Sequence, residues 1–81
     1  MKQEVLLRLE EIFADLMDDP GFKLTEDASS DTIDGWDSLF HITLIASVEA
    51  EFGIRFPTEL IVETKSVSSL TDIILLELGK K

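Results

Sequence analysis

The 81-residue chain contains no cysteine. That excludes a disulfide framework and a thiolate zinc site, and it means that any thiol chemistry must come from an attached group. A single histidine, His41, is too little for a histidine-based metal centre. No apolar run approaches the roughly 20 residues that a membrane-spanning helix needs. The opening Met1-Lys2-Gln3-Glu4 lacks the basic start and long apolar stretch of a signal peptide, so the expectation is a soluble, cytoplasmic protein. Basic side chains are also scarce, 7 against 17 acidic ones, for a formal net charge of −10. An excess of this sign repels nucleic acid and anionic membranes and attracts basic protein surfaces.

What is present is enough for one small fold. With 44% hydrophobic residues and a mean hydropathy of +0.16, the chain is too apolar to be disordered. Residues 1–81 are expected to form one domain, with no repeat and no low-complexity tract. A chain of this size buries roughly 60–65% of its unfolded surface, so it supports one core and no deep second layer. The charge is uneven. Between Leu9 and Ile54 there are 12 carboxylates, opposed only by Lys23.

Periodicity predicts an all-α, four-helix fold: three main helices, a short third one and a long first loop. Val5, Leu6, Leu9, Ile12, Phe13 and Leu16 place an amphipathic helix over 3–17, stopped by Asp18-Asp19-Pro20-Gly21. The connection over 18–36 is long for so small a domain. Phe22, Leu24 and Ile33 are expected to pin it, with a short helical turn near Thr25–Ala28. The strongest helix spans 38–52, with Leu39, Ile42, Ile45, Ala46, Glu49 and Phe52 on one side and Leu44 and Val48 widening the stripe. Asp37 or Ser38 supplies its N-cap, and Gly53 ends it with a left-handed residue. Ile54-Arg55-Phe56-Pro57 leads into the short helix near Thr58–Glu63, with Thr58 as its cap. The last helix spans 67–78, capped by Ser66 and ended by Gly79, with Lys80 and Lys81 near the negative end of its dipole.

Gly35-Trp36-Asp37-Ser38-Leu39 stands at the head of the strongest helix. A serine there shows its hydroxyl beside unpaired backbone N–H groups and the positive end of the dipole. A phosphate esterified to it is stabilised by that helix end. A bare Asp-Ser pair is better explained as a plain cap.

The wider pattern goes further. Asp37-Ser38-Leu39, followed by Ile42, Leu44, Ile45, Val48, Glu49 and Phe52, then Ile54-Arg55-Phe56-Pro57 and Val67, resembles the acyl carrier proteins that depend on 4′-phosphopantetheine. The resemblance covers nearly the full length and is strongest from Gly35 to Ile74. It implies a non-catalytic, monomeric carrier. A phosphopantetheinyl transferase, holding magnesium, would move the arm of coenzyme A onto Ser38. The arm's thiol would then hold an acyl group as a thioester for acyl-loading and acyl-processing enzymes with basic docking surfaces. Further roles implied are a carboxylate for the transferase from Asp37, core anchoring and partner contact from Leu39, and acidic docking from Glu49. Ala46 would meet partners on the same face, and Ile61 would touch the arm or its cargo.

The positions after Ser-Leu, commonly acidic in carriers of fatty-acid synthesis, are here Phe40, His41, Thr43 and Ala50. Phe40 is expected to lie exposed beside the attachment site and His41 to be a surface or partner-contact residue. Together with Trp36 these departures suggest a dedicated pathway. A Ser–His hydrolase is disfavoured, because nothing orients the imidazole and no oxyanion loop is present. One alternative is an aminoacyl or peptidyl carrier. Another is an acidic helical interaction module that binds divalent cations through Asp31, Asp34 and Asp37, whose spacing does not fit an EF-hand.

Overall fold

A computed structural model describes residues 2–79. It contains α1 (Lys2–Met17), α2 (Ser38–Phe52), α3 (Thr58–Ile61) and α4 (Val67–Leu78). The boundaries agree closely with the periodicity, except that α3 stops at Ile61. The expected placement of Lys80 and Lys81 lies outside the described residues.

Helix α1 packs against both α2 and α4. Its inward stripe is Val5, Leu9 and Phe13, at the spacing of three and four that keeps side chains on one helix face. Leu44, Ile45 and Val48 from α2 and Val67, Leu70 and Ile74 from α4 complete the centre. Phe13 is fully buried and serves as an aromatic hub. It stacks on Phe22 at 5.8 Å, meets Trp36 edge-on at 5.2 Å and tilts against Phe40 at 5.7 Å. Such pairs contribute beyond the area they bury.

Helix ends follow local chemistry, with corrections. Asp18, not a glycine, takes the left-handed conformation after α1, at φ 54°. Asp19 N–H bonds the Ala14 carbonyl and Asp18 N–H that of Asp15, the paired closure of a left-handed helix end. At the end of α2 the left-handed residue is Gly53, at φ 65°. Ser66 caps α4, accepting Ser69 N–H at 3.1 Å. Helix α3 has no side-chain cap: Pro57, rather than Thr58, occupies the cap position, and no residue of α3 is buried.

The long connection is held at several points. Leu24 is buried as expected, and its N–H donates to the half-buried carboxylate of Glu10 at 2.8 Å. Phe22 and Ile33 pack against the core. Thr25–Ala28 closes as a single turn, Ala28 N–H to Thr25 carbonyl, not as a helix. The end of the connection forms an antiparallel bridge, Ser29 with Ser66. Ser30 N–H bonds the Lys65 carbonyl at 2.8 Å, and Val67 N–H bonds that of Ala28 at 2.9 Å. The loop therefore arrives at α2 from a fixed point beside α4.

The face that α2 turns inward differs from the expected one. His41, Leu44, Ile45 and Val48 are buried, whereas Leu39 and Ile42 are 76% and 64% exposed. Ala46 is also exposed. Leu39 is thus not a core anchor. This helix is apolar nearly all round, so the sequence pattern did not single out one face.

Candidate functional site

Gly35 makes the turn into α2 possible. Its φ of +93° is one that residues with a side chain rarely adopt. Trp36 then enters the core, and Asp37 stands at the N-cap in an extended conformation. The Asp37 carboxylate accepts Phe40 N–H at 2.9 Å. Of the two candidate caps, Asp37 therefore does the capping. Ser38, the first residue of α2, is exposed, and its hydroxyl is not taken up in that bond.

Ser38 sits at the edge of a pocket of about 340 Å³, walled by Trp36, His41 and Ile42 on one side and Ile61 and Val62 on the other. Ser30 and Lys65, the pair tied backbone to backbone at the end of the long connection, complete its rim. Ile61, expected near the arm or cargo, does line the space beside Ser38.

Two expectations about side chains near Ser38 need correction. Phe40 is not exposed: it is half-buried against Phe13, because the core leaves a place between α1 and α2 for a third ring. His41 is not a surface residue: it is 7% exposed. Trp36 Nε1–H donates to its Nδ1 at 3.0 Å, and its Nε2 lies 2.6 Å from the Ile61 carbonyl oxygen. The imidazole and indole rings also stack, with centroids 6.0 Å apart. Burial is tolerated because both ring nitrogens find partners. Glu49, expected as an acidic docking residue, is half-buried, and its carboxylate accepts Phe56 N–H at 2.8 Å.

Much of what remains exposed on α2 near Ser38 is apolar: Leu39, Ile42 and Ala46 beside the polar Thr43, joined by Val62, which is 69% exposed just after α3. The nearby carboxylates are engaged elsewhere, Glu49 as above and Glu51 in an ion pair with Arg8 of α1. Among the described residues, no group of three or more His, Asp or Glu side chains is arranged to hold a metal ion. Asp31, Asp34 and Asp37 do not converge, which removes the basis for a cation-binding loop. No described helix is long and apolar enough to cross a membrane.

Comparison with known proteins agrees with this geometry. Residues 7–74 match the family described as phosphopantetheine attachment site. The solution structure of a holo acyl carrier protein from Geobacter metallireducens superposes with a TM-score of 0.83 at 36% identity, covering 94% of this chain and 87% of that one. The crystal structure of an acyl carrier protein from Thermotoga maritima superposes with a TM-score of 0.84 at 26% identity, covering 98% of this chain and 92% of that one. Among curated protein sequences nothing matches.

Proposed function

Because the chain belongs to the acyl carrier protein family, non-catalytic carriers of a covalent 4′-phosphopantetheine arm, we propose that Ser38 is its attachment point. One observation carries the assignment. Asp37 performs the capping, so the Ser38 hydroxyl stands free at the head of a 15-residue helix and at the mouth of a pocket. The backbone N–H groups and dipole of α2 suit a phosphodiester there. When bound, the arm supplies the thiol that this cysteine-free chain lacks and holds the acyl group as a thioester. Ile61, with Val62 and Trp36, offers the apolar lining that an arm or a short acyl chain would meet.

Partner choice rests on the surface around Ser38. The acidic first half of the chain draws a basic transferase or acyl-processing enzyme to this end of the molecule. The contact surface itself is the stripe Leu39, Ile42 and Ala46 with Val62, bordered by the carboxylate of Asp37. Phe40 and His41 act from behind this surface, Phe40 by setting α2 against α1 and His41 by joining α2 to α3. A docking face with so few free carboxylates supports a carrier dedicated to one biosynthetic pathway. Loading from coenzyme A supports a cytoplasmic location for that work.

Intact mass measured after incubation with coenzyme A, magnesium and a broad-specificity phosphopantetheinyl transferase tests the attachment. Wild type is expected to gain one phosphopantetheinyl unit and Ser38→Ala none. No gain on wild type, or the same gain on the alanine variant, would overturn the proposal.

A further inference from the structure

The buried histidine beside the pocket has one polar partner at each ring nitrogen. The Trp36 indole nitrogen only donates hydrogen bonds, so the His41 Nδ1 that faces it at 3.0 Å must carry a lone pair. The Ile61 carbonyl only accepts, so the proton of the ring lies on Nε2, 2.6 Å from that oxygen. The two partners select the same tautomer, and the order Trp36 to His41 to Ile61 joins the loop, α2 and α3. A ring with protons on both nitrogens does not fit, since its Nδ1–H would point at the indole N–H.

The joint adds to a modest hold on α3, whose Ile61 is half-buried against the core between buried Phe56 and Thr64. No residue of α3 is buried, and its first turn has no side-chain cap. The other hydrogen bonds of this segment stay within it: Leu60 N–H to the Pro57 carbonyl, and the N–H and hydroxyl of Thr64 to the Leu60 carbonyl. Ile61 and Val62 nevertheless form one wall of the pocket beside Ser38.

We propose that His41 is a positioning residue for the carried group: its neutral ring, oriented by Trp36, fixes the Ile61 carbonyl and with it the α3 wall of the pocket, and gain of a second proton releases that wall. The functional half of this rests on the assignment of the arm to Ser38. Two charged groups share the pocket with the ring, Asp37 at the head of α2 and Lys65 between α3 and α4; α1, α3 and α4 place no charged side chain in the lining. The charge would appear on a buried ring whose Nδ1–H then opposes the indole N–H; the ring must move away from Trp36, and because Nε2–H still donates to the Ile61 carbonyl, that wall moves with it.

The first test uses the unmodified protein and nitrogen-15 NMR, lowering the pH through the range in which imidazoles take up a proton. At the start His41 is expected to show the Nε2–H tautomer. On titration, the Trp36 indole N–H and the amides of residues 58–62 are expected to shift with the same midpoint as the ring. In His41→Gln, which keeps an N–H donor for Ile61 but has no proton to gain, the α3 amides are expected to stay still. An Nδ1–H tautomer, or α3 amides that ignore the ring, would overturn the proposal. So would α3 amides that titrate unchanged in the glutamine variant, since the cause would then be a carboxylate. Should that variant not fold, Trp36→Phe serves, with loss of the single tautomer as the expected result and its retention as the opposing one.

The second test loads a medium-chain acyl group and measures thioester cleavage by a small external amine, as the ratio of wild type to His41→Gln at each pH. The ratio cancels the intrinsic chemistry and is expected to rise several-fold as the ring protonates; a flat ratio would overturn the link to cargo. Failure to load Ser38 would instead sink the carrier assignment, while the tautomer and titration of His41, measured on the unmodified protein, would stand apart from it.

Discussion

The carboxylate of Glu49 accepts the backbone N–H of Phe56 at 2.8 Å, tying the last turns of α2 to the extended link that leads to α3. The position that resembles an acidic docking residue thus also has work inside its own molecule. Phe56 is buried, so removing the acceptor leaves its N–H without a partner. Glu49→Ala is expected to cost about 1–3 kcal/mol in urea unfolding, whereas Glu49→Gln, which retains a carbonyl acceptor, costs less than about 1 kcal/mol. The glutamine variant therefore isolates the charge. It is expected to slow modification by the transferase at low salt and to match wild type at high salt, because screening removes the long-range attraction. Equal slowing at both salts would count against electrostatic docking.

Asp37 divides in the same way between capping and attraction. Asp37→Ala removes the acceptor for Phe40 N–H and is expected to lower stability by about 1 kcal/mol, read from thermal unfolding. Asp37→Asn keeps a good cap without the charge. Its unfolding is expected to lie close to wild type while its modification is slowed at low salt. A cap-deficient alanine variant modified as fast as the asparagine variant would show that the transferase reads charge and not the helix start.

Phe13 is the residue on which the region behind the site depends. Its ring touches Phe22 of the long connection, Trp36 of the pocket wall and Phe40 of α2. Phe→Ala at a fully buried position costs about 3–5 kcal/mol. Total stability for a domain of this size is only about 4–12 kcal/mol. Phe13→Ala is accordingly expected to be marginally folded, and Phe13→Leu folded with a clearly lower urea midpoint. Unfolding followed by Trp36 fluorescence gives the comparison directly, since Trp36 is the sole tryptophan.

The helices and most of their ends were legible from the chain. Val5, Leu9 and Phe13 announced α1 because polar residues separate them, and Ser66 and Gly53 marked boundaries through local chemistry that needs no tertiary context. The orientation of α2 was not legible. Leu39 and Ile42 are as apolar as Leu44 and Ile45, so periodicity merged two faces: Leu44, Ile45 and Val48 are buried as expected, whereas Leu39 and Ile42 point out. What decided the matter was a polar residue: His41 goes inward because Trp36 and the Ile61 carbonyl receive it, and the carbonyl lies 20 residues away. Phe40 likewise looked exposed only until the place beside Phe13 was known. Ser38 was singled out by its motif, but the pocket beside it is lined also by Ser30 and Lys65, next to a loop bridge, Ser29 with Ser66, that no local pattern signals.

That bridge has a mechanical consequence. One rim of the pocket, at Ser30 and Lys65, is laced by backbone hydrogen bonds to the first turn of α4 and so to the centre of the core. The wall at Ile61 and Val62 belongs to a four-residue helix and its end, with Ile61 half-buried against the core and Val62 exposed. Segments with few buried contacts open at the smallest free-energy cost. Opening of the α3 wall is therefore expected to cost less than opening of the laced rim, so amide exchange at Leu60 and Thr64 is expected to be faster than at Ser30 and Val67.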